Sequence, residues 1–344
     1  MTSNRPFVKV LFLLALISAG FWVASQFPDL VITLIISALA AFVLKPVVTI
    51  LEFRLGMRRS IAIATTFASL LAVLTYLSFE VLPLLVDGVK TMYAQVKVFP
   101  FEQKLNQAAK EFAGQSLFVN AEMIVQKVNA ALAAGTEAFG SMLGSAAGFL
   151  VNLAILPFIT YFILAEWDDL QKKLIEKVPN KYFEMTLNVI NRIEKDLVGY
   201  MRGWILDSII ICLLSVVGYA MIGVDYPILI GVIAGVANLV PYLGPIVGAV
   251  PAFMVSVMQY GDFSKALPIV LLTFAIQMID NTIVQPLCFS KSIDMHPVTV
   301  ILVLIIGNEM MGVAGMVVAI PLFTILKASA TETYWGLKNY RITA

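Results

Sequence analysis

Apolar residues in this chain are gathered into long blocks, and the first three blocks each have the length of a membrane-crossing helix. They run from about residue 8 to 26, from 30 to 51 and from 60 to 86. A helix needs about 20 consecutive apolar residues to cross a bilayer, so the pattern predicts three transmembrane helices in residues 1–86. The first block is expected to remain in the protein, because no small-residue cleavage site follows it.

The next segment, residues 87–140, is polar and predicts a small amphipathic helical subdomain outside the cytoplasm. Met123, Val128 and Leu132 recur there at helical spacing behind Asn120, a residue type that often caps a helix. An apolar block in residues 141–166 predicts a fourth transmembrane helix. The charged residues 167–202 predict an amphipathic cytoplasmic linker, in which acids roughly balance bases.

The C-terminal region, residues 203–330, alternates continuous apolar blocks with broken ones. The four blocks lie at about 203–223, 226–258, 266–285 and 298–326. The second is interrupted at its centre by residues 238–245 and the fourth by residues 307–312. Each arm is short for a full crossing, so these blocks predict helical hairpins that are broken inside the membrane.

Two matched units, each a helix followed by a broken block, predict an inverted repeat. In the predicted topology the first broken block enters from outside and the second from the cytoplasm. Broken helices in corresponding positions of inverted repeats point to a transport site. Unpaired backbone groups survive at membrane depth only where they are buried in protein, face water or hold a ligand. The alternative is a pair of spanning helices kinked at proline hinges.

Basic residues in the short loops set the predicted orientation. Arg5 and Lys9 place the N-terminus in the cytoplasm, since Lys and Arg are enriched in cytoplasmic loops. Arg58 and the linker then also lie inside, as does the tail, residues 331–344. We therefore expect both termini to lie in the cytoplasm.

Composition agrees with this interpretation and excludes several other classes. Hydrophobic residues make up 60% of the chain and charged residues 13%, against about 25% charged in soluble domains. The net charge of +1 gives no reason to expect a nucleic-acid partner. Cys212, Cys288 and the single His296 are too few for a metal cluster or a disulfide framework. The expected fold is an all-α polytopic membrane protein with about eight transmembrane segments.

Carboxylates within apolar blocks are the candidate site residues, because a charge at the bilayer centre costs about 2.5–3.5 kcal/mol on insertion scales. Asp280 shares a helix face with Thr273 and Gln277, and Asn281 follows it. This stripe could line a cavity, or Asp280 could only cap a hairpin end. Glu309, at the second break, could bind a cation or a proton, or could cap the second arm.

Other features narrow the function without fixing it. Asp207 is interpreted as interfacial, since it lies two turns from Arg202. The sequence has no GxSxG, Walker A or HExxH motif, so neither an enzyme nor a cofactor is expected. Without a nucleotide site, transport would be passive or driven by a gradient.

The segment from Asn238 to Pro245 resembles the autoinducer-2 exporter family of bacterial permeases. The resemblance spans most of the chain, is strongest from Gly223 onward and looks closest to the PerM-like branch. It is carried by Asn238, Pro241, Tyr242, Gly244, Pro245, Gln277, Asp280, Asn281, Pro286, Phe289, Ser290, His296, Pro297, Gly307, Glu309, Gly312, Gly315 and Pro321. Asn308 departs from the pattern, since members often have glycine there. The resemblance implies a homo-oligomer, a pentamer, and export of a signalling molecule or sodium/proton exchange.

Together with this resemblance, the observations lead to a first hypothesis of a bacterial inner-membrane secondary transporter of this family, which moves a small solute by gradient-driven alternating access. The expected substrate- or ion-binding residues are Asn238, Pro241, Tyr242, Gly244, Pro245, Gln277, Asp280, Asn281 and Glu309. One alternative is a cation/proton antiporter, which the sequence does not separate from the first hypothesis. A second is a membrane scaffold without transport, whose outer subdomain would bind a partner.

Overall fold

A computed structural model describes residues 26–100, 130, 146–289 and 295–339, and these residues form helices and connecting turns without a strand. The all-α prediction is therefore confirmed for this part of the chain. The helices are α1 (Pro28–Leu55), α2 (Arg59–Val98), α3 (Ala146–Glu176), α4 (Phe183–Ile222), α5 (Pro227–Ala237), α6 (Leu243–Tyr260), α7 (Ala266–Ile279), α8 (Gln285–Phe289) and α9 (Pro297–Asn339).

Five helical stretches in the described residues are long and apolar enough to cross a membrane. They are Asp29–Leu55, Asn180–Ile222, Leu243–Tyr260, Ala266–Phe289 and Pro297–Gly336. The molecule is thus a membrane protein by the length and composition of its helices. The predicted helix at residues 8–26 and most of the outer subdomain lie outside the described residues, so the total of eight stays a prediction.

Four helices, α2, α3, α4 and α9, extend ten residues or more beyond the apolar blocks that predict them. Helix α2 continues past residue 86 to Val98, and Phe99 is extended with φ −73° and ψ 128°. Pro100 follows, and a proline disfavours helical backbone in the residue before it. Helix α4 begins at Phe183 rather than near residue 203, because the charged segment ahead of the apolar block is itself helical.

The chain divides into two compact units, each of which is described by itself. The first comprises Met1–Thr49, Val151–Glu194 and Met295–Ala344, and the second comprises Ile50–Leu150 and Lys195–Asp294. The predicted core, residues 203–330, contributes to both units.

The first unit holds α1, α3, the start of α4 and α9. Thr160 on α3 donates a hydrogen bond to the Ser37 carbonyl oxygen of α1 at 3.2 Å. Trp167 packs edge-on against Phe42, and Lys45 forms an ion pair with Glu194. These contacts join α1 to α3 and to α4 within this unit.

In the second unit, α5 and α6 pack closely on each other and on α4. A Cβ atom added to Gly248 of α6 would lie 2.7 Å from the Cβ of Ala234 on α5. One added to Gly235 would lie 2.6 Å from the Cβ of Cys212 on α4. Small residues therefore allow these helices to approach closely, as is common between helices in membranes. The buried cluster here includes Tyr219, Ile230 and Val257.

Candidate functional site

The first predicted break is present in the structure and is shorter than the sequence suggests. Helix α5 ends at Ala237 and α6 begins at Leu243, so the turn contains residues 238–242. Gly244 and Pro245, which were expected inside the break, belong to the first turn of α6. A proline is tolerated in a first helical turn because the N–H groups there have no partner within the helix.

The backbone of this turn is constrained by Tyr242 and by Trp204. Tyr242 has φ 71°, in the left-handed region that costs a non-glycine residue roughly 1–2 kcal/mol. Nε1–H of Trp204, on α4, donates a hydrogen bond to the Leu239 carbonyl oxygen at 2.8 Å. Trp204 also stacks on Tyr200, which stacks on Phe289 of α8. Side chains of α4 thereby bind a backbone group that the break leaves outside a helix.

Asn238, the first residue of the turn, is fully buried and reaches a carboxylate. Its Nδ2 donates a hydrogen bond to Asp207 Oδ2 at 2.8 Å. Asp207 is only 3% exposed. The interpretation of Asp207 as an interfacial residue therefore missed a site residue that is covered by protein.

A signal for Asp207 was available in the sequence. Gly203, Asp207, Ser208, Ser215 and Gly218 are all buried on α4, and apart from the adjacent pair Asp207 and Ser208 they recur at steps of three, four and seven. Small and polar residues at such spacing mark the face of a membrane helix that packs on other helices. This buried face predicts the position of Asp207 better than its distance from Arg202 along the chain does.

Asp280 lies where the helix of the second unit widens. Helix α7 ends at Ile279, and residues Asp280–Val284 form one turn of π-helix before α8. Turns of this kind often occur at functional sites. Asp280 is fully buried, and its Oδ2 accepts hydrogen bonds from Gln285 Nε2 at 2.8 Å and from Gln277 Nε2 at 3.4 Å.

The carboxyl groups of Asp207 and Asp280 lie within hydrogen-bonding reach of each other. On both residues Oδ2 accepts from an amide, whereas Oδ1 is buried without a hydrogen-bond donor. Buried polar atoms without partners are rare in proteins, so two of them in one place call for an occupant or a shared proton.

Asn281 forms the exposed side of this cluster. Its Oδ1 accepts hydrogen bonds from Gln277 Nε2 and Gln285 Nε2, each at 3.2 Å. The expected contact between Gln277 and Asp280 is thus present, and Gln285 is an additional member that the sequence interpretation did not include.

The second predicted break is a sharp change of direction inside α9. Met311 and Gly312 have non-helical backbone, and Gly312 has φ 61°. Glu309 is exposed and belongs to the first unit, whereas Asp207 and Asp280 belong to the second. Within the described residues, no three His, Cys, Asp or Glu side chains are grouped as a metal site.

Comparisons with known proteins identify a family of transporters and several relatives along most of the chain. The profile of a family described as "AI-2E family transporter" matches residues 11–335. YrrI of Bacillus subtilis strain 168 is 24% identical over 93% of this chain and 90% of its own length, and YueF of the same strain is 23% identical over the same shares. PerM of Escherichia coli K12 is 24% identical over 92% of this chain and 91% of its own length. The first two are provisionally named as transport proteins and the third as a permease.

Proposed function

Because this chain belongs to the AI-2E family of transporters, we propose that it is a secondary transporter that moves a small solute across the bacterial inner membrane by gradient-driven alternating access. The relatives carry names of transport proteins rather than enzymes, so no chemical conversion of the solute is included.

The observation that carries the proposal is the pair of buried carboxyls beside a broken helix. Asp207 and Asp280 lie among apolar helices, where ionisable residues are costly and in most cases functional. Asn238 joins the pair directly to the broken turn. A movement of α5 against α6 would therefore change the surroundings of the carboxyls.

The proposed binding residues fall into two groups. Asn238, Gln277, Asp280 and Asn281 form one hydrogen-bonded cluster together with Asp207 and Gln285. Pro241, Tyr242, Gly244 and Pro245 shape the first break, and Glu309 would contribute at the second. We further propose inverted hairpin units, cytoplasmic termini and a homo-oligomer, a pentamer, as the surroundings of this site.

A flux assay in proteoliposomes tests the proposal. Wild-type protein should dissipate an imposed gradient of sodium, of protons or of a small solute, and Asp280→Asn should reduce that flux by about tenfold or more, equivalent to roughly 1.4 kcal/mol. The exposed Asp262 provides the control, because Asp262→Asn keeps an oxygen that can accept from the Ser264 N–H. Wild-type flux in Asp280→Asn would contradict the site.

A non-transporting scaffold is the candidate of another class, and solvent access to the break separates the two. Cysteine at position 244 is unsuitable, because a Cβ there would lie 2.7 Å from Asn238. Tyr242→Cys is suitable, in a background where Cys212 and Cys288 are replaced. A transporter predicts labelling by a membrane-impermeant maleimide from at least one side, whereas a scaffold predicts none.

A further inference from the structure

We propose that Asp207 and Asp280 hold one proton between their Oδ1 atoms, and that this proton is the ion coupled to transport. The second half of this inference rests on the proposed function, whereas the first half concerns binding alone. Neither the family match nor the relatives' names assign an ion to the chain.

The hydrogen bonds of the pair leave room for one proton. Asn238 donates to Oδ2 of Asp207, and Gln285 donates to Oδ2 of Asp280. The two remaining oxygens are buried and have no donor. A single proton on either Oδ1 supplies a donor to the other, so it satisfies both atoms at once.

Electrostatic repulsion between the two carboxyls also favours one bound proton per pair. Two carboxylates in contact cannot both ionise readily, because like charges at this distance disfavour the doubly charged form. Neither carboxyl has a Lys, Arg or His partner within the described residues. The nearby titratable side chains are Tyr200 on α4, Tyr242 in the break and Cys288 on α8, and none of them is a cation.

A metal cation is the alternative occupant of this place, and the backbone oxygens of the break offer it few ligands. The Leu239 carbonyl accepts from Trp204, and the Val240 carbonyl accepts from the Leu243 N–H. Asn238 Oδ1 is turned toward Gly244, where it would lie 2.7 Å from an added Cβ. These two carbonyls are thus engaged elsewhere, while hard cations require several oxygen ligands at once. Asn238 Oδ1 and Gln277 Oε1 are nevertheless buried without a donor, so sodium is the competing occupant, and the sodium chloride arm of the infrared test distinguishes it from a proton.

Movement of the proton needs no further reactant. In the bound form the pair carries one proton and a net charge of −1, and release of that proton to water leaves two facing carboxylates. The doubly charged form is unfavourable while the pair stays covered. Release therefore requires water to reach the pair, and separation of Asn238 from Asp207 at the break would permit that access.

Infrared spectroscopy of the full chain in lipid bilayers, with ¹³C-labelled aspartate, tests the binding half. We expect the carbonyl band of a protonated carboxyl, equivalent to one group per chain, at neutral pH. Asp207→Asn and Asp280→Asn should each shift the band, because the remaining carboxyl loses its carboxylate partner, and Asp262→Asn should leave it unchanged. A band that neither pair variant shifts, or one that sodium chloride removes at constant pH, would overturn the proposal.

A further variant serves as the control for misfolding. The double change Asp207→Asn and Asp280→Asn removes both charges and keeps the side-chain shapes, so it should give a wild-type circular dichroism spectrum and no band. A double variant that retains the band would show that another carboxyl is its source, which overturns the assignment.

Proton flux with a pH-sensitive dye inside proteoliposomes tests the coupling half. Wild type under an imposed membrane potential should move protons at least tenfold faster than either single variant. A band without wild-type flux overturns the coupling and the proposed function but leaves the shared proton in place. Flux without a band overturns the shared proton and leaves transport standing.

Discussion

The chain interrupts its apolar helices at residues 238–242 and again at Met311 and Gly312, and the two interruptions are stabilised by different means. At the first, Trp204 and Asp207 of a neighbouring helix hydrogen-bond to the turn. At the second, Gly307 and Gly315 pack backbone against backbone across the bend. The difference teaches that a broken helix can be stabilised either by polar partners or by close packing, and that only the first break has buried ionisable groups beside it.

The largest effect is expected from a third carboxyl at the first break. Asn238→Asp should destabilise the protein by about 3–5 kcal/mol, because it replaces a donor to Asp207 with a buried like charge. Asn308→Asp makes the same change at an exposed position beside the second break and should have an effect within about 0.5 kcal/mol. SDS-induced unfolding in mixed micelles measures both. Equal losses of unfolding free energy in the two variants would contradict the view that only the first break has a buried carboxyl beside it.

Close packing at the second break predicts the next effect. A Cβ at Gly315 would meet the Gly307 carbonyl, so Gly315→Ala should cost about 1–3 kcal/mol through overpacking. At Gly312 an added Cβ would meet no atom within 4 Å, but the backbone has a φ of 61°. Its ψ of −146° belongs to a backbone region that only glycine adopts readily, so Gly312→Ala should cost backbone strain alone, about 1–3 kcal/mol. The same unfolding assay ranks them, and a harmless Gly315→Ala would contradict the close approach.

A smaller effect is expected from the hydrogen bond at the first turn. Trp204→Phe removes the donor to the Leu239 carbonyl and keeps an aromatic ring on Tyr200, so the loss should be about 0.5–1.5 kcal/mol. Trp335→Phe, at a half-exposed site on α9, is the matched control and should change little. If both variants unfold at the same detergent fraction, the hydrogen bond does not stabilise the turn.

The smallest change in stability is expected at Tyr242. Tyr242→Gly relieves left-handed strain of about 1–2 kcal/mol but adds about 0.5–1 kcal/mol of backbone entropy to the unfolded chain. Unfolding should shift by less than about 1 kcal/mol. Proteoliposome flux should nevertheless fall if the ring contacts the solute. Unchanged flux together with unchanged stability would remove Tyr242 from the site.

Sequence patterns predicted the breaks well because prolines and glycines act locally. Pro241 cannot donate to a helical hydrogen bond, and the interruption lies where that residue indicates. Asp280, Gln277 and Asn281 were found because residues three and four apart meet on one helix face.

The partners of Asp280 depend on tertiary contacts that a linear pattern does not contain. Asp207 is more than seventy residues earlier in the chain, and only the packing of α4 brings it to the pair. Gln285 reaches Asp280 through a widened turn, five residues along the chain instead of the usual three or four. No residue type at these positions signals such a turn.

The widened turn also has a consequence for the register of the helix. The N–H of Gln285 donates a hydrogen bond to the Asp280 carbonyl oxygen, five residues earlier. The turn therefore contains one residue more than an α-helical turn. If that residue were released, everything from Gln285 to Phe289 would rotate by about 100° around the helix axis. Such a screw motion would carry the amide of Gln285 off Asp280 and the ring of Phe289 off Tyr200 together. The widened turn therefore fixes the angular position at which Gln285 reaches Asp280 and Phe289 reaches Tyr200.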